Sequence, residues 1–409
     1  MTGLPRAARR VLAGLGVAAL AGAWLFAAIR LWRTSVPGDL SLAGLDAHRY
    51  FGDAQLDRVA SYEAFLRVDQ LLATLATLVA LGLYAAKGAG FARESAAGRI
   101  GTGMLLGMLG LGFVWLARFP FGLAALWWER EHDISSQGYV AWAISNFLSV
   151  GGGFLFISLA LLIVMALAGL WRRRWWLPAA PALVAVSLLF AFAQPYLIPD
   201  LDPLRDPRVA ADARQLAAQE GISGTTVRVQ NTRNLGGGPN AEAVGIGPSK
   251  RVILWDTLVE SFPRAEVRVV LAHEFAHLSR HHILKTFAWM ALLALPLACI
   301  VALTTRRRGG LFEPAAVPIA IFVVAALLFV LSPLQHAFSQ RLEAEADWVA
   351  LETTRDPGAT KALFRRFTRI AMVQPDPPGW AGLLIDTHPS IMERIEMAVA
   401  WQARRRGNH

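Results

Sequence analysis

Seven apolar stretches are the feature that most restricts the fold of this chain. Each has about the length that a helix needs to span a bilayer, roughly 17–25 mainly apolar residues. The composition agrees, because 55% of the 409 residues are hydrophobic and only 17% are charged. We therefore expect a mainly α-helical, polytopic membrane protein rather than a soluble protein with one anchor. The predicted spans are residues 11–29, 70–86, 100–117, 147–170, 175–198, 286–305 and 314–335.

Two polar segments interrupt the spans and divide the chain into four parts. Residues 1–199 form an N-terminal membrane region of about five helices, and residues 286–335 form a transmembrane hairpin. Residues 200–285 and 336–409 are the two parts of a small α+β domain. The second part is predicted to be helical, with a break at 374–379.

The first polar segment combines helices with short strands. Its second helix is predicted to open at Pro263, with Ser261 as the capping residue. Turn-forming residues separate the elements, and the strands are rich in β-branched side chains. A first helix is expected at 207–220, and strands at 225–230, 241–246 and 251–254.

Arginine clusters in short loops predict the orientation of the spans. Residues 172–174 and 306–308 are all arginine, and each cluster lies one span away from the segment 200–285. Because short Arg-rich loops stay on the cytoplasmic side, we expect that segment outside the cytoplasm. The arginines at 404–406 disagree, but they follow a folded domain, where the rule is weaker. The preference for arginine and alanine is typical of a GC-rich bacterial gene, which indicates a bacterial plasma membrane.

The sequence His-Glu-Phe-Ala-His at residues 273–277 carries the clearest chemistry. On a helix, His273 and His277 lie one turn apart on one face, so both imidazoles can bind one metal ion. Glu274 points about a quarter-turn away, toward a water on the open side of the metal. Zinc in a hydrolase usually takes three protein ligands and a water, so a third ligand must come from elsewhere.

Glu343 is the best candidate for the third ligand. His281 lies eight residues from His273, which on a straight helix is about 12 Å of rise and too far for one metal ion. Asp347, one turn after Glu343, could accept a hydrogen bond from a ligand imidazole or pair with an arginine. The alternative is that the acidic residues at 343–347 form a solvated helix face.

The distance of each motif from the membrane supports this choice. His277 lies eight residues before Lys285, where the sixth span begins, and Glu343 lies eight residues after Gln335, where the seventh span ends. If both helices continue straight, both side chains stand about 12 Å above the same bilayer face. Two such helices can meet at one metal ion. His282, like His281, is too far along a straight helix from His273 to bind the same ion.

These motifs resemble those of the integral-membrane zinc metalloendopeptidases of the type I CAAX prenyl protease group. The resemblance covers most of the chain, and five matches occur in the family's order around the same two-span interruption. It implies that His273, His277 and Glu343 hold one Zn²⁺ per chain and that Glu274 is the catalytic base. It also implies a chamber of seven helices, capped by the metallopeptidase domain. The matching residues are 240–241, 250–258, 273–277, 343–347 and 388–395.

Two of these matches suggest how a substrate is held. Asn240 and Ala241 open a strand-like run, to which a peptide substrate could add in extended form. Asn240 could then donate to a substrate carbonyl. His388 is a candidate catalytic donor to the tetrahedral oxyanion. The alternative is that His388 is a loop histidine that caps the following helix.

A further match concerns the support of the third ligand. Arg394 could pair with Asp347 or Glu343 and so hold the helix that carries the third ligand. His281, His282 and His336 are interpreted as polar residues at helix ends near the membrane surface. His282 nevertheless matches a histidine that the family tends to carry after its metal motif.

The sequence thus predicts a zinc-dependent membrane endopeptidase that hydrolyses peptide bonds of membrane-associated or lipidated peptides and proteins. Eukaryotic relatives cut prenylated C-terminal peptides, which a bacterial chain would rarely meet, so general turnover of membrane-associated peptides is expected. The alternative is an inactive membrane scaffold or a transporter with a metal-binding domain. We expect a peptide substrate and the bilayer as partners. No nucleic acid is expected despite the net charge of +10, because membrane loops use arginine in the same way.

Overall fold

Seven long apolar helices dominate the structure, a computed structural model that describes residues 6–94, 97–232 and 238–407. Within these residues, all seven are long and apolar enough to cross a membrane, with mean hydropathies of 1.6–2.7. Helices suit a bilayer because their backbone hydrogen bonds are made within the segment. The predicted fold class, a mainly α-helical polytopic membrane protein, is confirmed. Of the four predicted parts of the chain, the first begins and the last ends with residues that lie outside the described ones, 1–5 and 408–409. The first five helices are α1 (Arg6–Trp32), α2 (Asp53–Lys87), α3 (Gly98–Glu131), α4 (Tyr139–Trp171) and α5 (Trp176–Leu197).

The next segment forms a small sheet that packs against two helices. Its elements are β1 (Leu201–Pro203), α6 (Pro207–Gln219), β2 (Thr226–Gln230), β3 (Ala241–Val244), β4 (Arg251–Trp255), α7 (Asp256–Ser261) and α8 (Arg264–Ser279). The strand order is β1-β2-β4-β3, with β2 parallel to β4 and the other two pairs antiparallel. Strand β3 is therefore an edge strand of this sheet, and it begins directly after Asn240.

The start of α8 differs from the prediction. Ser261 does not cap this helix, because it is the last residue of α7. Pro263 occupies the capping position instead, and its carbonyl accepts the backbone N–H groups of Glu266 and Val267 at 2.9 and 3.1 Å. The predicted first helix and three strands of this segment are found within two residues of their expected bounds.

The remainder of the chain is helical. Its elements are α9 (His282–Thr305), α10 (Val317–Thr354), α11 (Pro357–Ile370), α12 (Gly379–Leu384) and α13 (Ile391–Gly407). Helix α10 is continuous over 38 residues, so it runs from the membrane region into the polar domain. It ends where Arg355 adopts a left-handed conformation with φ 53°, a common way to terminate a helix.

The helix is interrupted between α8 and α9, although the spacing of the metal motif from the membrane was considered for a straight helix. Helix α8 ends at Ser279, and His281 adopts a left-handed conformation with φ 57°. Helix α9 then begins at His282 in a new direction. The condition that the metal-motif helix continues straight into the sixth span is therefore not met, and this turn changes which side chains lie near His277.

Helix α8 lies at the centre of the polar domain. Its apolar side chains are buried on nearly all sides, and Leu271 and Phe275 are completely enclosed. One face of the sheet, α6, α11 and α13 surround it in a single apolar core. Each buried side chain of this size contributes about 1.5–3 kcal/mol. Packing therefore fixes the position of the helix that carries the two imidazoles.

A buried polar contact joins the membrane helices to the polar domain. Arg67 of α2 donates from Nη1 to Oε1 of Gln374 at 2.7 Å, and the backbone N–H of Gln374 donates to Oε1 of Glu63 at 3.0 Å. Arg67 also pairs with Glu63. Near this contact, a cavity of about 650 Å³ lies among α2, α3 and α4, and Asp69 and Arg118 are among its lining residues.

Candidate active site

Helices α8 and α10 meet at a cluster of three side chains. His273 and His277 come from α8, and Glu343 comes from α10. Nε2 of His273 lies 3.1 Å from Nε2 of His277 and 3.2 Å from Oε2 of Glu343. Nε2 of His277 lies 3.6 Å from Oε1 of Glu343. The three side chains are 11%, 15% and 12% exposed, so the cluster is recessed yet reachable from outside.

A carboxylate and an arginine hold the first imidazole. Asp347, one turn beyond Glu343 on α10, accepts a hydrogen bond from Nδ1 of His273 at 2.9 Å. Arg394 of α13 donates to both oxygens of Asp347, over 2.7 and 2.6 Å, and stacks 4.2 Å from the ring centre of Phe364. Of the two carboxylates considered for Arg394, the structure pairs it with Asp347. This bidentate pair fixes the carboxylate, which in turn fixes the ring of His273.

A third imidazole, that of His282, contacts the second one. His282 lies at a helix end, as expected, since it is the first residue of α9. It is also buried, with only 2% of it exposed, and its Nδ1 lies 3.0 Å from Nδ1 of His277, a contact that the sequence interpretation did not include. The left-handed turn at His281 brings it there. Its position one residue after that turn could not be derived from helical spacing. The only signal in the sequence was the match to a family histidine.

The cluster strongly stabilises positive charge. Burial by itself lowers the pKa of an imidazole, but the carboxylates of Asp347 and Glu343 outweigh burial and raise the pKa of His273 to about 10. Burial likewise opposes the charge of Arg394, yet its pairing with Asp347 raises the pKa of this guanidinium. Carboxylates that stabilise a proton on His273 also stabilise a divalent cation beside it.

The donor atoms fit a metal ion. Nδ1 of His273 contacts Asp347 and Nδ1 of His277 contacts His282, so both Nε2 atoms face the shared centre. Two Nε2 atoms 3.1 Å apart that face each other need a proton or a metal ion between them. Ligands about 2.0–2.2 Å from a tetrahedral zinc ion are roughly 3.3–3.5 Å apart, which is close to the separations seen in this cluster.

A small cavity of about 110 Å³ adjoins the cluster. Glu274, His273 and the first residues of the edge strand, Asn240 and Ala241, all line it. Glu274 is buried, and its carboxylate makes no hydrogen bond or ion pair to any residue that the structure describes. The backbone carbonyl of Asn240 accepts the N–H of Trp255 at 3.0 Å, which holds the start of β3. The structure thus places a free carboxylate and an edge strand around one space.

His388 lies at the same cavity, on the loop before α13. Its Nε2 is 3.3 Å from Oε2 of Glu343, and 56% of its side chain is exposed. His388 does not cap α13, because Ser390 does so. Oγ of Ser390 accepts the N–H of Glu393 at 3.1 Å, and the Glu393 carboxylate accepts the N–H of Ser390 at 2.7 Å. The imidazole of His388 is therefore available to the cavity.

Comparison with known proteins identifies the group to which this site belongs. Residues 203–402, which contain every candidate site residue, match the model of Peptidase family M48. The chain is 28% identical over 282 residues to an uncharacterized metalloprotease, YhfN, of Bacillus subtilis, an alignment that spans 66% of each protein. It is 28% identical over 222 residues to a CAAX prenyl protease 1 homolog of Dictyostelium discoideum, spanning 51% of this chain and 52% of that one. The chain thus carries a Peptidase family M48 domain and is similar to CAAX prenyl protease-like membrane metalloproteases. This similarity implies a metal ion at the site.

Two further similarities concern another protease and a solved structure. A Protease HtpX homolog of Limosilactobacillus reuteri is 31% identical over 191 residues, which is 39% of this chain and 62% of that protein. The chain thus spans no more than about two thirds of the length of these curated relatives. The crystal structure of S. mikatae Ste24p has a TM-score of 0.71, 16% sequence identity, and coverage of 92% of this chain and 96% of that one. At this identity the likeness concerns the fold, and it agrees with the predicted chamber of helices.

Proposed function

We propose that the protein is a zinc-dependent endopeptidase with one Zn²⁺ per chain. The observation that carries the proposal is the convergence of His273, His277 and Glu343, with both Nε2 atoms directed at the same centre. Two imidazoles and a carboxylate are the ligands of catalytic zinc sites that keep a fourth position for water or substrate. Among the described residues, no observation favours the alternative of an inactive scaffold or transporter.

The residues around the cluster have separate roles in the proposed hydrolysis of a peptide bond. Zinc, when bound, supplies polarisation of the scissile carbonyl and a lower pKa of the attacking water. Glu274 takes a proton from that water and passes it to the leaving amine. His388 donates to the carbonyl oxygen as negative charge develops on it, and Asn240 is a second donor. Asp347 supports this arrangement by keeping one ligand imidazole in place.

The substrate is proposed to be a peptide that adds to β3 in extended form. Strand β3 has a partner on one side only within the described sheet, and its first residues, Asn240 and Ala241, line the active-site cavity. The polar domain also rests directly on the membrane helices through α10 and the Arg67–Gln374 contact. Both features support a membrane-associated or lipidated peptide or protein as the substrate, and neither calls for a nucleic acid.

Purified protein is expected to contain about one zinc ion per chain and to cleave a fluorogenic peptide. Chelation should abolish cleavage, and added zinc should restore it, because the ligands are reachable from outside. Elemental analysis and a fluorescence assay measure the two quantities. A protein that binds zinc but never cleaves any peptide from a broad library would support the scaffold alternative instead. A protein without zinc would overturn the proposed ligand set.

We further propose a multi-pass location in the bacterial plasma membrane, with the catalytic domain outside the cytoplasm. Three arginines occupy each of the short turns at 172–174 and 306–308, next to α4 and α9. A reporter that is active only outside the cytoplasm should be active when fused after Gly407. The same reporter fused after Gly309 should be inactive, which makes this fusion the matched control. The opposite pattern would reverse the orientation.

A further inference from the structure

A chain of hydrogen bonds extends outward from the second imidazole of the cluster. Nδ1 of His277 lies 3.0 Å from Nδ1 of His282, and Nε2 of His282 lies 3.0 Å from Oε2 of Glu345. The rings of the two histidines are nearly perpendicular, with centroids 4.9 Å apart and an interplanar angle of 81°. Glu345 lies between Glu343 and Asp347 in sequence but points to the other side of α10, toward α9.

The carboxylate at the end of this chain is itself firmly held. Oε2 of Glu345 also accepts Nζ of Lys285 at 2.8 Å, and Oε1 accepts the backbone N–H of Ser35 at 2.8 Å. Ser35 belongs to the segment that follows α1, so three parts of the chain meet at Glu345. Lys285 already balances the charge of this carboxylate, so a second cation at His282 is not required.

The direction of the hydrogen bonds follows from the last acceptor. An ionised carboxylate only accepts, so His282 carries its proton on Nε2 and donates it to Glu345. In a neutral imidazole the other nitrogen is then an acceptor, so Nδ1 of His282 accepts the Nδ1–H of His277. This leaves the lone pair of His277 on Nε2, the nitrogen that faces His273 and Glu343.

We propose that His282 is a positioning residue that orients His277 as a metal ligand and fixes its tautomer. The inference rests on the proposed function in that it takes His277 as a zinc ligand. The two imidazoles of the cluster then have separate supports. His273 is held directly by Asp347, whereas His277 is held through His282 by Glu345. The left-handed turn at His281 allows this arrangement, because it brings the ring of His282, the first residue of α9, into contact with His277 of α8.

Two amide substitutions of His282 separate this role from simple packing. His282→Asn places an oxygen at the position of Nδ1 and so keeps an acceptor for His277. His282→Gln places its amide at the position of Nε2, keeps a hydrogen bond to Glu345, and offers no acceptor to His277. We expect the zinc dissociation constant of the Gln variant to rise roughly 10–100-fold. The Asn variant should stay within about threefold of the wild type. Competition with a chromophoric chelator measures the constants on the full-length protein in detergent.

The neighbouring His281→Asn substitution is the matched control. His281 is exposed, and asparagine tolerates its left-handed conformation, so zinc affinity should not change. The absorption bands of the Co²⁺-substituted protein give a second readout, and we expect them to shift in the Gln variant only. Equal zinc affinity of the Gln and Asn variants, or wild-type affinity of the Gln variant, would overturn the inference. A melting temperature of the metal-free protein that falls without any change in zinc affinity would show a packing role instead.

Failure of this inference is distinguishable from failure of the proposed function. The zinc content of the wild type tests the ligand set, and peptide cleavage tests the activity. The ratio of zinc dissociation constants between variants tests only the role of His282. A wild type that binds zinc and cleaves peptide, together with a Gln variant of unchanged affinity, would leave the enzyme intact and remove the positioning role.

Discussion

Glu274→Gln is expected to retain zinc but to lower kcat for peptide hydrolysis by roughly 10²–10⁴. Glutamine has the same size and still fits the buried position of Glu274 beside the cavity. It cannot accept a proton from the attacking water, so the general-base step is lost. The three ligand side chains are untouched, and zinc content should stay near one per chain. Stopped or continuous cleavage of a fluorogenic peptide gives kcat, and elemental analysis gives the zinc content.

Glu274→Asp is the matched control for this prediction. Aspartate keeps the carboxylate but withdraws it by one methylene, so its kcat should fall between those of the wild type and the glutamine variant. This order separates the loss of a base from a general disturbance of the cavity. If the glutamine variant binds zinc and keeps more than about a tenth of the wild-type kcat, Glu274 is not the base.

The seven spans could be predicted because length and apolarity are local properties, but their ends could not. Helix α2 begins at Asp53, whereas the predicted second span is 70–86. The charges of Glu63, Arg67 and Asp69 end the apolar run in the sequence. In the structure, Glu63 and Arg67 pair with each other and with Gln374. No local pattern reveals a partner so distant in the chain, so the helix was expected to be too short.

The approach of Glu343 to the imidazoles could be anticipated from the membrane spacing, although only one of the two motif helices continues straight into its span. Helix α10 does so, since it is continuous from Val317 to Thr354. Helix α8 does not, because it ends at Ser279. The turn follows His277, so it leaves the cluster of three donors undisturbed and changes only what lies beyond it.

His282 shows why the surroundings of a site are harder to predict than its motif. The rise of a straight helix places it far from the metal, and this remains true of a direct ligand role. Its actual contact with His277 depends on the left-handed residue His281. Non-glycine residues adopt that conformation rarely, and nothing in the local sequence announces it. The burial of His282 against Glu345 is likewise a contact between distant parts of the chain.

Arg394→Met is expected to lower the free energy of unfolding by about 3–5 kcal/mol. The substitution keeps much of the apolar stem of Arg394 but leaves the carboxylate of Asp347 buried, with His273 as its remaining partner. A buried carboxylate that keeps only an imidazole as its partner is costly, because the protein interior solvates its charge poorly. Chemical unfolding in detergent measures the loss. A chelator should be present throughout, so that differences in zinc affinity do not enter.

Two further variants show whether the buried charge causes this loss. Asp347→Asn in the Arg394→Met background removes the charge, so it should recover part of the lost stability, whereas pure packing damage would add to it. Arg405→Met is the matched control on the same helix. Like Arg394, Arg405 pairs with a carboxylate, that of Glu352, and lies over an aromatic ring, that of Trp401. Its side chain, however, is 42% exposed. Water screens that pair, so the loss should stay below about 1 kcal/mol. Equal losses for the two arginines would mean that burial of the Asp347 charge is not what makes Arg394 important.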